Sequence, residues 1–179
     1  MSQSLHGSAP NPGSLPKAVV LMGVAGCGKT TIGKKLAAEL GWRFIEGDSL
    51  HPPENIARIS GGQPLRDADR AGWLAKIGAE IAASLLRGES VIAACSALKR
   101  TYRDRLRGFA PALQILYLEI DPEAAFARVQ RRKGHFMPAS LVDSQFADLM
   151  PPDPDENAVA LDAKRTVVEL VQEAVALLR

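Results

Sequence analysis

Cysteine is nearly absent from the sequence. Cys27 and Cys95 are the two in 179 residues, and they have no metal-ligand spacing. That argues against a disulfide framework and fits a reducing compartment. No apolar run approaches the roughly 18 residues that a membrane-spanning helix needs. Charge of one sign is also missing. Lys and Arg number 22 against 20 Asp and Glu, a net of +2, too balanced for nucleic acid to be the main partner. Internal repeats and dividing linkers are absent. The opening "MSQSLHGSAPNPGSLP" has neither a charged n-region nor an apolar h-region. It is expected to be a flexible tail over 1–16, not a signal peptide. The remaining residues, 17–179, are expected to form one domain, since 46% hydrophobic content suffices for a real core.

What is present alternates. "AVVLMG", "WRFIEGD", "SVIAACS", "LQILYLEI" and "AVALD" read as short strands, most of them continuous apolar runs. Helical patterns separate them: 29–40, 67–87 with Asp67 as its cap, a basic helix at 99–107, 122–133, one starting at Ser140 with Asp143 in a capping box, and 163–178. The fold class is therefore α/β: a parallel sheet of about five strands flanked by helices in three layers, joined by right-handed crossovers.

"GVAGCGKT", residues 23–30, matches G-x-x-x-x-G-K-[ST] without a gap. It follows a predicted strand and opens a predicted helix, the context that makes this motif a phosphate loop. Glycines let backbone N–H groups turn inward around phosphate oxygens, and the helix N-terminus adds partial positive charge. Gly23, Val24, Ala25, Gly26, Cys27, Gly28, Lys29, Thr30 and Thr31 are thus the nucleotide-binding candidates. Lys29 is assigned to the β- and γ-phosphates and Thr30 to Mg²⁺, with ATP as the nucleotide. Phosphoryl transfer also needs cations near the γ-phosphate. Arg128, Arg131, Arg132 and Lys133 cluster at a helix end that runs into a glycine-containing loop. As a group they read as a lid that excludes water, with Arg128 and Arg132 the catalytic candidates.

Four stretches together carry a resemblance: "GVAGCGKTTIG", "FIEGDSLHPPENIARISGGQPLRDADR", "ACSALKRTYRDRLR" and "RKGHFMPASLVDSQF". In this order they resemble gluconokinases, ATP-dependent kinases of D-gluconate, from about residue 18 to 178. The resemblance implies a P-loop kinase fold like that of shikimate kinases and nucleoside monophosphate kinases, with an acceptor-binding segment and a lid. It also implies the reaction ATP + D-gluconate → ADP + 6-phosphogluconate, a cytoplasmic setting and a homodimer.

Gluconate is a polyol with one carboxylate. Its site needs carboxylates and amides for hydroxyls, and arginine or lysine for the acid end. Residues 46–70 hold that inventory. Asp48, after a short strand, stands at the carboxyl edge of the sheet, where ligands of α/β folds bind. It is assigned to orient and deprotonate the acceptor hydroxyl. The acid in the outer shell of Mg²⁺ is open between Glu46 and Asp48. His51, Arg58, Arg66 and Arg70 are further acceptor candidates, as are Lys99, Arg100 and Arg103 after "ACSA" and His135 and Gln145 beyond the basic cluster. The 46–70 stretch has no Phe, Tyr or Trp, which argues against a nucleobase acceptor. A kinase of the same fold for another small polar acceptor, such as shikimate, is the alternative reading. No aspartate ends the "VIAACS" strand, so Mg²⁺ should rest mainly on Thr30, phosphates and water. "PPDPDENAVALDAKR" is the expected adenine-side loop.

Overall fold

The computed structural model describes residues 15–131 and 137–179. Five parallel strands form one sheet: β1 (Ala18–Met22), β2 (Arg43–Glu46), β3 (Val91–Ala94), β4 (Gln114–Glu119) and β5 (Ala158–Asp162), in the order β2-β3-β1-β4-β5. The helices are α1 (Lys29–Leu40), α2 (Pro53–Ser60), α3 (Asp67–Leu86), α4 (Arg100–Arg107), α5 (Pro122–Arg131), α6 (Val142–Asp148) and α7 (Val167–Leu178).

Every residue of β1 is buried, as a central strand covered on both faces must be. Its side chains alternate between two cores. Val19 and Leu21 pack with Leu36 of α1 and with Leu170 and Ala174 of α7. Val20 and Met22 pack with Trp73, Leu74, Ile77 and Ile81 of α3 and with Leu106 of α4. The period-2 alternation of a strand thus produces the three layers expected from the sequence.

Parallel strands put the chain's functional turns on one edge. The turn after β1 is the phosphate loop. After β2 comes a 3₁₀ turn, Gly47–Leu50, that carries Asp48. One helix is added and two local expectations change. Residues 53–60, with little apolar periodicity, form α2, which Pro53 starts at a position where a missing N–H costs nothing. Asp67 does not cap α3. Arg66 stands at the cap, and its N–H is taken by Asp69 Oδ2 at 3.0 Å. α6 starts at Val142 after a 3₁₀ turn, Ala139–Leu141, with no side-chain cap, so the Ser140 capping box is not formed.

Candidate active site

Gly28 stands at the head of α1 with φ +99°, and no side chain caps the helix. Its first N–H groups are those left without an intrahelical partner. Gly26, at φ +85°, lies so close to α5 that a Cβ there would meet the Ala125 carbonyl oxygen at 2.7 Å. Lys29 Nζ donates to the carbonyls of Gly23 and Val24 at 2.9 and 3.0 Å. Arg128 comes from α5 and donates to the Gly26 carbonyl at 3.4 Å. Val24 and Cys27 belong to the loop, but their side chains are buried in the core beneath it.

From this loop a cleft of about 200 Å³ extends towards β2 and α3. Ala25, Gly26, Gly28, Lys29, Thr30, Thr31 and Arg128 line its donor end; Asp48, His51 and Arg70 line it on the other side, and Gln145 closes it from α6. Asp48 is held there by tight packing around its turn. A Cβ at Gly47 would fall 2.2 Å from the Ala94 carbonyl oxygen, so the turn lies directly against β3. Trp73 Nε1 donates to the Gly47 carbonyl at 2.7 Å. The His51 ring stacks on Trp73, with centroids 4.1 Å apart and planes at 12°. Burial pushes the His51 imidazole down to about 4, so it is neutral at physiological pH. Ser96 also reaches the cleft, and its carbonyl accepts the Gly23 N–H at 3.2 Å.

The far wall is apolar. Ile59 of α2, Leu65 and Leu141 form a small cluster with Met137, and all four line the cleft. A polar inventory read along 46–70 does not reveal this wall, because half of it comes from 137–141. No Phe, Tyr or Trp lines the cleft among the described residues.

The predicted cations separate. Arg70 is nine-tenths buried and lines the cleft, with Nε on the Leu65 carbonyl at 3.4 Å. Arg58 and Arg66 instead reach Asp69 on α3, at 3.4 and 3.3 Å, and do not line it. Lys99 lies behind Arg70. It pairs with Asp67 at 2.8 Å and with Asp148 at 3.4 Å, while Arg70 approaches the same Asp148 at 3.9 Å. Asp67 thus serves Lys99 and the Tyr102 hydroxyl, which donates to it at 2.5 Å. Those hydrogen bonds hold its carboxyl below the usual range. Asp148 has no sequence signature of its own; the end of α6 brings it to Lys99 and Arg70.

Arg100 and Arg103 are not placed at the cleft. Arg100 pairs with Asp153 and Asp155 at 2.8 and 2.7 Å. Arg103 is fully buried in a two-pronged pair with Glu156, at 2.7 and 2.6 Å, and donates to the carbonyls of Ala97, Leu98 and Met150. These arginines tie Asp153, Asp155 and Glu156 of the expected adenine-side loop to α4. The hydrogen bonds from Arg103 hold the Glu156 carboxyl down at about 2. Because the folded value is depressed, its contribution to stability is present above the ordinary carboxylate range and is lost as pH falls towards 2. Arg103→Met removes the two-pronged partner of the buried Glu156 carboxylate, leaving it to Arg107 and the Asp153 N–H at 2.9 Å each, and is expected to destabilise the fold by about 1.5–3 kcal/mol. Urea unfolding reads this; unchanged stability with a raised KM for the acceptor would instead return Arg103 to the site. Arg132, Lys133 and His135 lie outside the described residues, and with them most of the expected lid.

The chemistry of the donors suits magnesium. Thr30 and Asp48 offer hydroxyl and carboxylate oxygens to one cleft, a set fitting a hard cation that keeps most of its waters. Glu46 ends β2 and does not line the cleft. Among the described residues no cluster of three or more His, Cys, Asp or Glu could hold a metal.

A profile of the AAA domain matches residues 19–152. A gluconokinase of Gluconobacter oxydans (strain 621H) is 43% identical over 163 residues, which is 91% of this chain and 92% of that protein. The crystal structure of a sugar kinase from Janibacter sp. HTCC2649 superposes with a TM-score of 0.87 at 45% identity, covering 91% of this chain and 94% of the other. The crystal structure of a gluconokinase from Sinorhizobium meliloti 1021 does so with a TM-score of 0.81 at 45% identity, covering 90% and 91%.

Proposed function

This chain is a member of the gluconokinase family, and from that premise we propose that it transfers the γ-phosphoryl group of ATP to D-gluconate, giving ADP and 6-phospho-D-gluconate. One observation carries the reading: a single cleft has the phosphate loop at one end and Asp48 with a buried arginine at the other.

Lys29 and Arg128 draw charge from the transferring phosphoryl group, and the N–H groups at the head of α1 hold the phosphates behind it. Asp48 orients the acceptor hydroxyl and takes its proton as the new P–O bond forms. His51, neutral, hydrogen-bonds a second hydroxyl. Arg70 receives the carboxylate, and Asp148 and Lys99 fix the charges behind it. The apolar wall excludes water, the competing acceptor. When bound, Mg²⁺ would offset the charge of the phosphates during transfer; Thr30 is the residue that would hold it, with the Asp48 carboxylate lining the same cleft.

A homodimer in the cytoplasm belongs to the same reading. The resemblance supports both, and two buried free cysteines fit a reducing compartment. No helix among the described residues is long and apolar enough to cross a membrane.

A coupled assay of ADP release tests the acceptor. Gluconate is expected to turn over while shikimate and nucleoside monophosphates stay at background. Turnover on one of those with none on gluconate overturns the reading. Among the described residues no Phe, Tyr or Trp lines the cleft, which argues against a base-bearing acceptor.

A further inference from the structure

One peptide unit of the phosphate loop is gripped from both sides. The Val24 carbonyl accepts from Lys29 Nζ at 3.0 Å. The N–H of the same peptide, on Ala25, donates to Gln145 Oε1 at 2.6 Å. These two groups share one rigid plane, so turning either turns both. Gln145 reaches the loop from α6 and is buried. Its amide fits in one sense only, because a backbone N–H requires the oxygen. Nε2 then lies 3.1 Å from Met137 Sδ, a weak acceptor.

The loop needs such a grip. A flip of the Val24–Ala25 peptide would carry its carbonyl away from Lys29. α6 is a firm base for the grip. Asp148, one turn beyond Gln145, meets Lys99 at 3.4 Å and Arg70 at 3.9 Å.

We propose that Gln145 is a positioning residue for Lys29: its carbonyl pins the Val24–Ala25 peptide, and that peptide sets where the ammonium stands against the β- and γ-phosphates. The side chain expected to bind acceptor thus acts on the donor side. The inference rests on the kinase reading only through the contact of Lys29 with nucleotide, and no part of it needs the acceptor.

The test is a thermodynamic cycle on ATP affinity, measured by calorimetry without acceptor on the full chain. Gln145→Met is expected to weaken ATP about three- to ten-fold, the equivalent of one neutral hydrogen bond. In a Lys29→Met background the same change should cost less than about two-fold, since Gln145 then has no ammonium to position. Equal losses in both backgrounds overturn the proposal and leave Gln145 a purely structural side chain. Gln145→Ala carries the same cycle if the methionine variant loses its fold. A second reading uses the Ala25 amide proton. Its resonance should move upfield in Gln145→Met and stay in Gln145→Glu, whose carboxylate still accepts the bond. An unmoved resonance in Gln145→Met also overturns it. Absence of wild-type turnover on gluconate would defeat the acceptor reading alone and leave both measurements intact.

Discussion

Replacing Lys29 with methionine is expected to lower kcat about 10³-fold or more, the scale on which a cation on a transferring phosphoryl group acts. The loss should fall on turnover more than on folding. Lys29 Nζ makes its hydrogen bonds to loop carbonyls and approaches Cys27 Sγ at 3.8 Å. Methionine keeps the stem that packs against the loop, and the turn itself is set by its glycines. ATP affinity should fall as well, but more modestly, because the N–H groups at the head of α1 still face the phosphates. Steady-state kinetics beside thermal melting separate the two. A kcat within ten-fold of wild type would remove Lys29 from the chemistry.

Asp48→Asn should cost about 10²–10⁴-fold in kcat, the range for loss of a positioned base. The change is nearly isosteric, so Trp73, Gly47 and Ala94 still hold the turn, and the melting temperature and ATP affinity should stay near wild type. The same variant decides between two roles for this carboxylate. If it belongs to the magnesium shell, raising Mg²⁺ restores turnover. If it serves the acceptor hydroxyl, added Mg²⁺ does nothing and the deficit remains in kcat. Full activity at ordinary Mg²⁺ would remove it from both.

The donor end was legible because its signal is local. Eight consecutive residues, a buried strand before them and a helix after them leave few other solutions. β1, β3 and β4 were legible for the same reason: each is a short, largely apolar run that a doubly covered sheet accommodates. The acceptor end was legible in part. Asp48, His51 and Arg70 do meet in the cleft, but Arg58 and Arg66 belong to Asp69, three residues from Arg66. In sequence all three arginines look alike. What sorts them is which face of α2 and α3 each occupies, and polar residues carry no periodicity strong enough to show it. The placement of Arg103 away from the cleft has a related reason. The residue follows a strand end, where cleft residues stand, but its partner Glu156 lies 53 positions away and leaves no trace near "CSALKR". The grip of Gln145 on Ala25 spans 120 positions and is equally invisible.

The order of the strands has a consequence for how the protein is made. The phosphate loop and the Asp48 turn are both synthesised by residue 51, yet β1 and β2 share no hydrogen bonds. β3 lies between them, and it is encoded only at Val91–Ala94. A nascent chain leaving the ribosome therefore carries both halves of its site for some forty residues with nothing to set them side by side. Closing that gap is a long-range event, slow compared with helix formation. A chain interrupted before β3 holds the motif without the sheet that aims it, and so has no arrangement with which to hydrolyse the cell's ATP.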